Sequence, residues 1–214
     1  MHIPDGLIPL WQCVIYFVVA LPFYLRSIKW IKQELRPEDI PLLATLTAGV
    51  FAAQSLNIPI LWGTSGHMIG AALVSILFNS PYAGITAILV VLLIQAFVFL
   101  DGGILALGAN LLNMGIIASF TSFYAWRYLR RFVSETVSVF VSSWISVVLA
   151  AVVCAVELNM AGVVPLWKAV YFMGLYHLLI GLFAEGLITV IVYKSIRMYL
   201  PDYIALPGGI ADGE

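Results

Sequence analysis

Residues 83–100 read AGITAILVVLLIQAFVFL. A strand in a barrel wall would alternate apolar and polar side chains. Here every face is apolar, and only Thr86 and Gln95 carry side chains that form hydrogen bonds. Such a segment must satisfy its own backbone, so it is a helix in lipid. Eighteen residues rise roughly 27 Å as a helix, close to the thickness of one hydrocarbon core.

The same pattern extends along the chain. Of 214 residues, 63% are apolar and 10% charged, against roughly 45–50% and about 25% in soluble domains. This excludes a soluble globular domain, a disordered chain and a nucleic-acid binder. The formal net charge of −1 gives no electrostatic reason to expect an acidic or basic partner. Apolar runs punctuated by Gly, Pro, Asn and the few charges predict helices at Leu7–Leu25, Ile40–Leu56, His67–Phe78, Tyr82–Leu100, Gly108–Tyr128, Thr136–Glu157 and Leu166–Met198. The expected fold is therefore an all-α, multi-pass membrane protein of seven transmembrane helices. Residues 1–214 are expected to form one transmembrane domain: 1–39 hold the N-terminal segment, first helix and following loop, 40–198 a six-helix core, and 199–214 a cytoplasmic tail. Cys13 and Cys154 lie in apolar runs and read as small core residues, not as a disulfide framework.

Charge sets the orientation. Arg26, Lys29, Lys32 and Arg36 follow the first helix, Arg127, Arg130 and Arg131 the fifth, and Lys194 and Arg197 end the seventh. With the N-terminus outside, these nine of ten basic residues are cytoplasmic and only Lys168 is not, as the positive-inside bias requires. No Lys or Arg precedes the first apolar run and Asp5 is acidic, which favours a retained helix over a signal peptide. Met1 is expected to survive in the mature chain, with the bulky His2 behind it.

Polar groups at membrane depth are costly and therefore informative. The chain opens MHIPDG. With His at position two, the α-amine, the His2 amide nitrogen and Nδ1 all reach one ion through fused five- and six-membered chelate rings. The planar peptide makes the three donors coplanar, and one more imidazole completes a square of nitrogens. That donor set suits Ni(II), Cu(II) or low-spin Co(II), not Mg²⁺ or Ca²⁺. Binding requires loss of protons, so affinity falls at low pH. Pro4 keeps Ile3 extended, and Asp5-Gly6 permits a turn. In WGTSGHMIG, residues 62–70, His67 stands on the same outer side and offers the fourth nitrogen; Ser65 is near it in sequence. In DGGILALGANLLNMG, residues 101–115, Asn110 and Asn113 read either as helix-to-helix hydrogen bonds with small-residue packing or as groups that, with Asp5 and Ser65, support the ligands and orient an imidazole from outside the ligand set. In YHLLIGLFAEGLIT, residues 176–189, His177 and Glu185 are eight apart on one helix face and read as a buried pair. Ala44, Ala48 and Ala52 form a small-residue stripe on the second helix that permits close helix approach; it suits either bundle packing or docking of a partner.

Met1-His2 with a His in the Gly/Ser loop, DGGILALGAN and YHLLIGLFAEGLIT together resemble the CbiM/NikM family. Its members are substrate-binding subunits of energy-coupling-factor transporters for cobalt or nickel, and the motifs span residues 1–189. The resemblance implies seven helices, with one extra at the N-terminus relative to vitamin-binding relatives, and metal bound by Met1, His2 and His67, with Ni²⁺ or Co²⁺ as the substrate. It also implies partners: a transmembrane coupling subunit, two cytoplasmic ATPases and often a small accessory membrane subunit, in a prokaryotic plasma membrane. Residues 182–184, Leu-Phe-Ala, are bulkier than such proteins tend to have before Glu185. The chain has no Gly-rich nucleotide loop, so a non-catalytic transport subunit is expected, with ATP hydrolysis in its partners. The expected role is capture of Ni(II) or Co(II), the planar site favouring nickel. The alternatives are a passive metal channel, which needs a continuous polar path, and an intramembrane hydrolase using His67, His177 and Glu185, which lacks an HExxH pair.

Overall fold

The computed structural model describes residues 1–60 and 63–200, so Trp62 and most of the expected tail, residues 201–214, lie outside it. Helix α1 spans Leu10–Gln33, entered at Pro9, whose extended backbone sets the start. It continues past the expected end at Leu25, so Arg26, Lys29 and Lys32 are helical and not part of a loop. Helix α2 spans Ile40–Gln54. Two short antiparallel strands follow, β1 Ile58–Pro59 and β2 Ser65–Gly66, with Ile58 opposite Gly66 and Pro59 opposite Ser65.

The helix expected from His67 is shortened to α3, Ala71–Leu77. Gly70 is the reason: its φ of +77° is left-handed, and a Cβ there would meet Val50 Cγ2 at 2.6 Å. A glycine both takes that conformation and leaves that space. His67 thus stands in a loop. Helix α4, Pro81–Ile94, starts at Ser80, whose hydroxyl accepts the Tyr82 N–H at 3.3 Å, and it continues as a π-helical turn over Gln95–Phe99. Helix α5, Leu107–Asn110, runs through a second π segment, Leu111–Ile117, into α6, Ala118–Leu129. Helix α7 spans Glu135–Met160. Helix α8, Leu166–Ile180, passes through a third π segment, Gly181–Gly186, into α9, Leu187–Tyr199.

Among the described residues, four stretches are long and apolar enough to cross a bilayer: Leu10–Gln33, Pro81–Phe99, Glu135–Met160 and Leu166–Tyr199. The packing is that of a membrane protein. On α1 the buried face carries Gln12, Cys13, Tyr16, Ala20, Tyr24, Ser27 and Trp30, while Leu10, Val14, Val18 and Leu21 are exposed. Lipid takes the apolar face, and the small and polar face seals the bundle. Helix α7 follows the same rule, burying Ser138, Ser142, Ser143, Ser146, Ala150, Ala151, Cys154 and Ala155. Its serines return their hydroxyls to carbonyls one turn back, Ser142 to Val139 at 3.1 Å and Ser146 to Ser143 at 2.7 Å, so small side chains pack without stranding a donor. Ala44, Ala48 and Ala52 are exposed, whereas α2 turns Leu43, Leu46, Val50 and Gln54 inward. The stripe therefore takes no part in core packing.

Candidate metal centre

The opening residues fold into the protein instead of fraying. Met1 and Ile3 are 0% exposed and His2 is 3%. The extended backbone at Ile3 is clamped on both sides by Asn110, whose Oδ1 accepts the Ile3 N–H at 2.8 Å and whose Nδ2 donates to the Ile3 carbonyl at 3.1 Å. That carbonyl also accepts the Gly103 N–H at 3.0 Å. The Asp5 carboxylate accepts three successive N–H groups, those of Ile104, Leu105 and Ala106, at 3.0, 2.8 and 3.1 Å. A turn of free amides is a natural seat for an anion. Residue 103 must be glycine for this fit, because a Cβ there would meet Asp5 N at 2.6 Å.

Three elements converge on the buried end. The Met1 amine donates to the Ser65 carbonyl and, at 3.3 Å, to Ser65 Oγ. His2 Nε2 donates to Gln95 Oε1 at 3.1 Å, leaving the lone pair on Nδ1. Nδ1 lies 3.4 Å from Ser65 Oγ and 3.6 Å from Asp101 Oδ1. His67 Nδ1 donates to the Met68 carbonyl at 2.7 Å, so its lone pair is on Nε2, which is buried and has no partner. The His2 and His67 rings stack with centroids 4.6 Å apart and planes 23° apart. At metal–nitrogen distances of about 2 Å, two imidazoles bound at right angles to one ion have centroids roughly 4.5 Å apart. Among the described residues no three His, Cys, Asp or Glu side chains converge on a common ion position.

The electrostatics favour neutral donors. Burial drops the Met1 amine from an ordinary 8.0 to about 5, against the pull of Cys154 and Asp101. Burial, helped by the amine, drops His2 from 6.5 to about 4. His67 is also held well below its ordinary value, by burial first, then by the amine, His2 and, most weakly, His177. Asp101 Oδ1, 3.6 Å from His2 Nδ1, puts a carboxylate beside these nitrogens.

The polar residues expected around the ligands have distinct jobs. Ser65 touches both Met1 and His2, whereas Asp5 and Asn110 hold backbone. Asn113 donates to Glu157 Oε2 at 2.6 Å, tying the π segment Leu111–Ile117 to α7. The group that bonds the His2 ring is Gln95, the lone amide of the 83–100 run, which spacing did not assign to the site. The expected His177–Glu185 pair is not formed. Glu185 accepts the N–H groups of Ile69 and Gly70 at 2.5 and 3.0 Å, and His177 Nδ1 donates to the Met173 carbonyl at 2.7 Å.

The sequence profile described as "CbiM: Cobalt uptake substrate-specific transmembrane region" matches residues 2–203. The chain belongs to the CbiM family. A crystal structure titled as a truncated transition metal transporter superposes on this CbiM chain with a TM-score of 0.86 at 30% identity, covering 92% of this chain and 99% of that one. A cobalt transport protein CbiM of Clostridium tetani is 30% identical over 98% of this chain and 90% of its own length. A fused nickel transport protein NikMN of Rhodobacter capsulatus is 31% identical, over 96% of this chain and 64% of its own length. The relatives are transport proteins, and this CbiM chain is a helical membrane protein of the same build.

Proposed function

We propose that the chain is the substrate-capture subunit of an energy-coupling-factor importer for nickel or cobalt. It takes the ion from outside in a square plane formed by the Met1 amine, the His2 amide and Nδ1, and His67 Nε2. The tautomers carry this reading. Gln95 leaves the His2 lone pair on the nitrogen that closes the chelate, and the Met68 carbonyl leaves His67 Nε2 as a buried donor without a partner. Second partners that fix an imidazole in this way are typical of metal ligands.

In this reading seven helices cross a prokaryotic plasma membrane, with the N-terminus outside and the basic clusters inside. A transmembrane coupling subunit, two cytoplasmic ATPases and a small accessory subunit drive uptake. The coupling subunit docks on the exposed Ala44–Ala48 face of α2. There a groove of about 430 Å³, lined by Thr47, Phe51, Val90 and Phe99 among others, separates α2 from α4. Small residues four apart let a helix of the partner approach closely.

The test is titration of untagged protein with Ni(II) and Co(II), with the mature first residue checked by mass spectrometry. A low-spin d–d band with one ion bound supports the plane, and an octahedral spectrum rejects it.

A further inference from the structure

His177 has no role in the four-nitrogen plane, yet it lines the same buried wall. Its position follows from its neighbours on α8. One turn earlier, Met173 receives the Thr64 hydroxyl on its sulfur at 3.5 Å. Three residues later, Ile180 sits so close to Gly66 that a Cβ there would meet its Cδ1 at 2.7 Å. Residues 173, 177 and 180 share one face, so His177 points toward the loop that carries Ser65 and His67. It is 0% exposed, its Nδ1 donates to the Met173 carbonyl at 2.7 Å, and Nε2 has no partner.

A buried lone pair with nothing to accept costs stability, and Glu185, engaged with Ile69 and Gly70, does not relieve it. One turn earlier on the same face is the Met173 thioether, also 0% exposed, whose sulfur accepts the Thr64 hydroxyl. Imidazole nitrogen with thioether sulfur suits late first-row ions and repels none of them with charge. Among the described residues no third His, Cys, Asp or Glu side chain joins His2 and His67 in one donor cluster, so His177 lies outside their set.

We propose that His177 Nε2, with Met173 Sδ, is a transfer site that takes the ion from the plane on its way inward. The proposal rests on the nitrogen-plane reading. In the exchange the metal bond to His177 forms as that to His67 breaks, with both nitrogens neutral. The ion then leaves the chelate as its bonds to the Met1 amine and to the His2 amide and Nδ1 break, and the amide nitrogen takes back one proton from water. Two neutral donors without a chelate ring hold an ion only briefly, which is what a transfer site needs.

The test uses vesicles carrying the chain with its ATPase and coupling partners, and Ni(II) as the probe. In His177→Leu the planar band of the bound ion persists, which also checks folding, while ATP-driven uptake falls roughly tenfold, the scale of losing one group that supports metal binding. His177→Met, which restores a soft donor of similar bulk, recovers uptake. Equal uptake in wild type and His177→Leu, or equal loss in the Leu and Met variants, overturns the transfer site. A wild-type spectrum without the planar band overturns the plane itself, and the transfer site with it. A second measurement needs no variant: ¹⁵N-histidine protein with its plane filled by diamagnetic Ni(II) is titrated with Ag(I). A shift at the third imidazole supports the proposal, and an unmoved third imidazole overturns it.

Discussion

Proton release on metal binding tests the buried amine directly. In an exposed Met-His terminus at pH 7, an amine of ordinary pKa 8.0 is about nine-tenths protonated and an imidazole at 6.5 about one quarter. Such a chelate sheds roughly two protons per ion, including the one from the amide. Here burial brings the amine to about 5 and His2 to about 4. Both are then almost fully neutral at pH 7, and the expected release is about one proton, from the His2 amide alone. Calorimetric titration of Ni(II) in two buffers of different ionisation enthalpy measures that number. The same burial fixes the pH dependence of the metal-free fold. Between pH 8 and pH 5 the unfolded amine binds a proton that the folded one refuses, so stability is fully present above 8 and is lost as pH falls toward 5. The loss is about 4 kcal/mol for a shift of three pKa units. His2 acts with the same sign between 6.5 and 4. A measured release of two protons, or a fold indifferent to pH over this range, would refute the buried neutral amine.

Adding a Gly-Ser extension before Met1 removes the terminal chelate, and the planar spectrum is expected to vanish while the helical content by circular dichroism stays. Gln95→Leu frees the His2 ring to choose its tautomer; metal affinity should fall roughly 10- to 100-fold by calorimetry, as for other groups that orient ligands. Asp5→Ala leaves three N–H groups of residues 104–106 without their acceptor, costing about 1–3 kcal/mol and lowering the thermal midpoint in detergent. Ala48→Leu fills the groove between α2 and α4; ATP-driven uptake should drop while metal affinity measured on the same preparation is unchanged.

The spans were legible because lipid demands long apolar runs, and α2, α4, α7 and the α8–α9 stretch lie close to where those runs predict them. The shortening of α3 was not legible, since a glycine at residue 70 does not announce a positive φ until Val50 packs against it. The Met1-His2 chelate could be proposed from residues alone because its geometry is covalent and local. Gln95 could not. A helix that is apolar all round has no periodic signal to say which way its one amide points. Asn110 and Asn113 were visible as polar groups at depth, but only coordinates show that they hold Ile3 and Glu157 and do not orient a ring.

Three π segments among the described residues explain how so apolar a bundle aims its polar groups. Gln95, Asn113 and Glu185 each lie in one of them. Each reaches out of its own helix: Gln95 to the His2 ring, Asn113 to Glu157, and Glu185 to the amides of Ile69 and Gly70. A π turn carries poorer backbone bonds than an α turn and so needs a compensating contact; functional sites are where such turns are commonly kept. The extra residue rotates the following side chains relative to a regular helix, so a polar group faces the bundle without moving the apolar positions off the lipid. Glu185 thus holds the loop after His67, and Gln95 holds the ring of His2. Regularising either π segment should therefore disturb the metal site more than the fold.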